Sequence, residues 1–148
     1  MTLNRRSKSG QLGSTLLEFS IAATVFLTGL FAVIEFGRAL WVHNALADAA
    51  RRGARYAVLH SSNDVASVKN VVVYGNPSGT GTPMLDNLSP TNVTVNYSGF
   101  GLNSGTVTVS ITNYKFQMVL PLVGKSIQMP NYSTTLTGES AGLLPPNI

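Results

Sequence analysis

The chain has 148 residues, ten basic against six acidic groups for a formal charge of +4, and no cysteine. That length holds an anchor and one small core, not two cores, and the missing thiols exclude disulfides, thiolate chemistry and cysteine-based zinc sites. Residues 1–60 carry all of the excess charge, whereas residues 61–148 balance Lys69, Lys115 and Lys125 against Asp64, Asp86 and Glu139, so the domain lacks the basic stripe that a nucleic-acid partner requires.

Residues 1–13, MTLNRRSKSGQLG, are polar and basic with no apolar period. From Ser14 to Ile34 the chain reads STLLEFSIAATVFLTGLFAVI, 21 residues with Glu18 as the one ionisable group. As a helix this stretch rises roughly 31 Å, about the hydrocarbon thickness of a bilayer. A core helix of so small a protein would show a polar stripe, and Phe19 to Ile34 shows none. A secretory signal peptide would have a shorter apolar run followed by a small-residue cleavage site. Here the run leads directly into EFGRALWVHNALADAARRGARYAVL, which contains no proline and predicts unbroken helix to about Leu59. Trp41 falls just past the apolar span, where an interfacial aromatic belongs. The expected segments are a leader at 1–13, a transmembrane helix at 14–34, its continuation at 35–60 and a small extracytoplasmic domain at 61–148.

Within the continuation, Ala45, Ala49, Gly53 and Ala57 recur every four residues and form one row along the helix. Such a row admits close approach of another backbone. An alanine-rich helix contains such rows by chance, but a mid-helix glycine costs about 1 kcal/mol relative to alanine, which favours a packing role. Arg51, Arg52 and Arg55 read as a solvated face.

His60 to Asp64 forms a turn whose Asn63 or Asp64 caps a short helix, VASVKNVVVY. A loop follows from Gly75 to Pro83. Alternation then predicts strands with Val93, Val95 and Tyr97 on one face, and with Val107, Val109 and Ile111 opposite Thr106, Thr108, Ser110 and Thr112. SGFGLNSG joins them as a hairpin connection. Phe116, Met118 and Leu120 continue the alternation to Pro121, and a last strand covers Tyr132 to Thr137. The expected fold is α+β: a long N-terminal helix, membrane-spanning in its first half, packed on a small antiparallel sheet of three or four strands. The domain after residue 60 is poor in charge and expected to need the helix to complete its core.

The residues offer no catalytic constellation. His43 and His60 lie 17 apart without a carboxylate at metal-ligand spacing and read as solvated polar residues. Gly124-Lys125-Ser126 imitates the end of a phosphate loop, but Val119 stands where the motif's first glycine belongs. No enzyme, metal site or cofactor is expected.

The junction Gly13-Ser14-Thr-Leu-Leu-Glu18-Phe19 has a different character. A basic leader ends in glycine, the apolar helix begins at once, and a lone carboxylate follows. A charge in a membrane segment costs about 2.5–3.5 kcal/mol even on the gentler scales, which marks Glu18 as a functional candidate. This Gly–X4–Glu–Phe junction resembles the processing site of type IV-like prepilins. Together with EFGR at 35–38 and AARRGARYA at 49–57, it closely resembles the TadE-like family of pseudopilins, a likeness that extends over about residues 10–77.

The resemblance implies a pilin-like fold and a minor pilin that assists assembly of a Tad (tight adherence) pilus. It implies cleavage after Gly13 by a membrane prepilin peptidase, with Ser14 as the mature N-terminus and Glu18 as the packing carboxylate. The implied partners are that peptidase, other Tad pilins and pseudopilins, the inner-membrane assembly platform and the bilayer, with no nucleic acid. The implied location is the cytoplasmic membrane, N-terminus in. Charge bias alone leaves orientation open, since Arg5, Arg6 and Lys8 face Arg38, Arg51, Arg52 and Arg55 across the span. The leader must meet a cytoplasmic-side peptidase, and the last three arginines lie far from the span, so the N-in reading is taken. The other functional class is an anchored binding module whose sheet or loops recognise a surface ligand.

Overall fold

The computed structural model describes residues 9–99, 105–119 and 126–138. Residues 1–8 of the leader, the hairpin connection at 100–104, the Leu120–Pro121 end of the apolar alternation, Gly124-Lys125 and Glu139 lie outside them.

Helix α1 runs from Ser9 to Leu59, ending where expected but beginning five residues before Ser14. The chain divides into two compact units, one ending at Gly37 and the other beginning at Arg38. In the first unit α1 is apolar on all sides. Leu16, Phe19, Ile21, Val25, Phe26, Val33 and Phe36 are all exposed, and the helix is long and apolar enough to cross a membrane. Its hydroxyls turn inward. Ser20 donates to the Leu16 carbonyl, Thr24 to that of Ser20 and Thr28 to that of Thr24, each at 2.8 Å. Hydroxyls satisfied by their own helix can lie in hydrocarbon without an unmet donor.

The second unit holds the core. Helix α2, Val65–Tyr74, follows the turn; Asp64 is its N-cap residue but makes no side-chain capping bond. Gly75 closes α2 in the left-handed conformation, φ 76°, with its N–H on the Val71 carbonyl, an ending that a side chain would strain. A 3-10 turn at Pro90–Asn92 leads into β1, Val93–Ser98. Strand β2, Thr106–Ile111, pairs antiparallel with β1 on one side and with β5, Tyr132–Thr137, on the other. Val95 therefore faces Val109, which faces Thr134. Between β2 and β5 the chain forms a separate two-stranded ribbon, β3 (Lys115–Gln117) with β4 (Ser126–Gln128). Neither β4 nor this ribbon was expected, because Ser126–Gln128 is too short to show a period.

Period-2 burial follows the pleat: Val107, Val109 and Ile111 are buried while Thr106, Thr108 and Ser110 are half-buried. Leu46, Ala54 and Ala57 of α1, Val68 and Val72 of α2, and Val107, Val109 and Ile111 of β2 join one cluster with no accessible surface. The α1 residues from Arg38 on thus supply one wall of the domain core, and the fold is α+β, a long N-terminal helix packed on a small antiparallel sheet.

Candidate functional site

Gly13, Ser14 and Glu18 all lie on α1 in the first unit, and all three are exposed. A Cβ added at Gly13 would meet nothing within 4 Å, so packing within the chain does not demand glycine there. Gly29 and Gly37 are equally open; Gly13 differs from them in standing where the polar leader meets the apolar span. Its backbone is helical rather than extended, so a protease would have to unwind this turn. A glycine weakens the turn by about 1 kcal/mol relative to alanine. Glu18 is the one charged side chain from Gly13 to Ile34.

In the second unit, Ala49, Gly53 and Ala57 are buried and Ala45 is half-buried. A Cβ on Gly53 would overlap Cγ2 of Val72 on α2 and lie 3.3 Å from Cγ1 of Val109 on β2. A second row was missed in the sequence. Val42, Leu46, Ala50, Ala54 and Val58 also recur every four residues and are all buried. Two adjacent rows, one of small residues and one with larger ones, make the packed face; the larger side chains at 42, 46 and 58 were the available signal.

Both histidines are exposed, as the solvated reading expects, and each also has a partner within the chain. His43 Nδ1 lies 2.7 Å from the Tyr132 hydroxyl, with the rings edge to face at 5.2 Å between centroids. His60 stacks on Tyr56, and its Nδ1 is 2.8 Å from the Tyr56 carbonyl, one of the carbonyls that the end of α1 leaves without a helical donor. Arg51 and Arg55 are exposed, but Arg52 is half-buried, ion-paired with Asp48 and in contact with Met84 Sδ at 3.2 Å. Arg38 donates to the Gln117 carbonyl and lies over the Phe116 ring, 4.6 Å from its centroid. Glu35 is buried, the one charged residue so placed among the described residues. Burial raises the Tyr132 pKa, and burial followed by the charge of Asp86 raises that of Tyr114, against a smaller lowering by Arg38. Among the described residues no group of three or more His, Asp or Glu side chains could hold a metal ion.

These features describe a small α+β domain continuous with an apolar, membrane-length stretch of helix, Ser14 to Ile34, whose single carboxylate, Glu18, sits near its start. The family model for TadE-like protein matches residues 13–55, from Gly13 through Glu18, the EFGR segment and Gly53 to Arg55, so this stretch is TadE-like as the motifs indicated. No curated protein and no solved structure gives a significant match.

Proposed function

We propose that the protein is a minor pilin, or pseudopilin, that assists assembly of a Tad adhesive pilus after a prepilin peptidase cuts between Gly13 and Ser14. The observation that carries this reading is the TadE-like match beginning at Gly13, on a stretch of α1 that is largely exposed as far as Ile34, with Glu18 as its one charge. The protein lies in the cytoplasmic membrane, N-terminus in, with its domain outside. Its partners are the peptidase, other Tad pilins and the assembly platform.

Cleavage removes three basic groups and no acid, leaving seven against six, and creates an α-amine on Ser14. That amine stands four residues before Glu18, one helical turn or about 6 Å of rise away. In hydrocarbon a charge is costly unless paired. Ammonium and carboxylate neutralise each other within one chain or between adjacent helices. Pairing between chains fixes axial register, which apolar packing alone does not. Glu18→Gln keeps the shape and removes the charge. The expected result is normal cleavage with loss of incorporation into pili or pseudopilin complexes; normal piliation would rule out the pairing role.

A second reading, an anchored surface-binding module, draws on the outer face of the sheet. The register aligns Thr94, Ser110 and Ser133, then Asn96, Thr108 and Thr135, then Ser98, Thr106 and Thr137, a surface of uncharged hydrogen-bonding groups. Surface binding that persists when pilus assembly is blocked would favour this reading.

A further inference from the structure

An open cavity of about 600 Å³ in the second unit is lined by Trp41, Met84, Asp86, Tyr114 and Val119, among others. Its rim is apolar and open, with Trp41 61%, Met84 48% and Val119 74% exposed. Arg38 also stands on the wall, but it is engaged within the chain, over the Phe116 ring and on the Gln117 carbonyl. Asp86 is exposed, and its carboxylate makes no ion pair or hydrogen bond among the described residues. At the Tyr114 hydroxyl on the same wall, the charge of Asp86 acts more strongly than that of Arg38. The cavity thus holds an unmet carboxylate and an exposed indole ring. Those two groups suit a guanidinium, whose N–H fork matches a carboxylate and whose planar charge is attracted to an aromatic face.

We propose that a second copy of this chain docks at the cavity, placing its Arg51 or Arg55 against Asp86 and Trp41 of the first. Three observations carry the assignment. First, the chain itself supplies the guanidinium. Arg51 and Arg55 are exposed one turn apart on α1, about 6 Å of helical rise. Neither lines the cavity, and neither makes an ion pair or hydrogen bond among the described residues. Arg52 between them differs, being half-buried and paired with Asp48. Second, the two patches are opposite in charge and lie apart on one chain, so every copy carries both halves of the contact. The contact can then repeat reciprocally in a pair or head to tail along a row. Third, an isolated surface ion pair gains little, but here the exposed side chains of Trp41, Met84 and Val119 surround it. Covering that apolar rim excludes water from the pair, the setting in which a stacked, paired arginine contributes most. The inference uses groups of the second unit alone and does not depend on the pilin reading.

The test is a charge swap on the full chain in detergent micelles, with self-association followed by analytical ultracentrifugation. The parent should self-associate, and less so as salt rises. Asp86→Arg sets like charges opposite one another, and so does the double variant Arg51→Asp/Arg55→Asp. Each alone should weaken association by about tenfold or more. An equimolar mixture of the two should recover the parent's strength, because every contact then joins opposite charges again. That recovery also shows that both variants are folded. Trp41 is the one tryptophan of the chain, so its emission should shift to the blue as the parent associates and as the mixture does. Either variant associating alone as strongly as the parent overturns the proposal, and so does a mixture that recovers nothing. A parent that stays monomeric while free arginine alters the Trp41 emission would assign the cavity to a guanidinium from elsewhere, and would overturn the second copy as its occupant.

Discussion

Gly53 of α1 and Val72 of α2 occupy one space: the glycine's missing side chain is where the valine's Cγ2 lies. Val72 has no accessible surface, and a β-branched side chain is stiff at χ1, so it cannot swing aside. Gly53→Leu should therefore destabilise the domain by about 1–3 kcal/mol or more, as overpacking does. Arg52→Leu, which loses a partly exposed i,i+4 ion pair with Asp48 and the contact with Met84 Sδ, should cost less, no more than about 1 kcal/mol. Gly53→Ala/Val72→Ala should recover part of the loss seen in Gly53→Ala alone. Thermal melts of the full chain in detergent check all of these, and equal Tm values for Gly53→Leu and Arg52→Leu would contradict the close seam.

Asn92 ties the turn before β1 to the chain after β2. Its Oδ1 accepts from the Ser89 N–H at 3.0 Å and lies 2.9 Å from the Ser89 hydroxyl, while its Nδ2 donates to the carbonyls of Thr112 at 3.1 Å and Asn113 at 3.3 Å. Asn92→Asp keeps the acceptor and removes both donors, setting a carboxylate beside two carbonyl oxygens. A loss of about 1–3 kcal/mol is expected at neutral pH. Because the introduced carboxyl is disfavoured in its charged form, it protonates in the folded chain above the usual aspartate value of about 4, so part of the loss should return as pH falls from neutral to about 4, where the protonated group can donate. Denaturant melts of the variant and parent at both pH values measure this; a variant as stable as the parent at neutral pH would dismiss the tie.

Tyr97, Tyr114 and Tyr132 all have raised pKa values, chiefly through burial, with the charge of Asp64 adding at Tyr97 and that of Asp86 at Tyr114. A phenol whose folded pKa exceeds its unfolded value of about 10 gives stability that is complete below that pH and is lost as pH rises through the folded value. Tm should hold steady up to about pH 10 and then fall. Tyr132→Phe, though it gives up the contact with His43, should flatten that fall. A Tm unchanged well into the alkaline range would contradict the burial of these hydroxyls.

Much of the domain was legible because its signals are local. Strict alternation placed Val107, Val109 and Ile111 on one face, and the structure buries all three. The end of α1 at Leu59, the whole of α2 and the bounds of β5 followed from turn residues and period. What escaped was either short or non-local. The β3–β4 ribbon has three residues per strand, too few for a pattern. His43 meets Tyr132 across 89 positions, and no spacing rule connects residues so far apart. The Val42–Val58 row was visible but overlooked, since alanine at 50 and 54 blends into a helix already rich in alanine. At the junction, the sequence singled out Gly13 and Glu18 by contrast with their neighbours. The structure adds that Gly13 fills no packing need.

That last point directs attention to an agent outside the fold, the peptidase. The intact mass of the protein recovered from native membranes, in cells with a working prepilin peptidase, tests this most directly. Cleavage between Gly13 and Ser14 predicts a chain that begins at Ser14 and lacks all of residues 1–13. A mass that retains those residues would contradict maturation as a pilin.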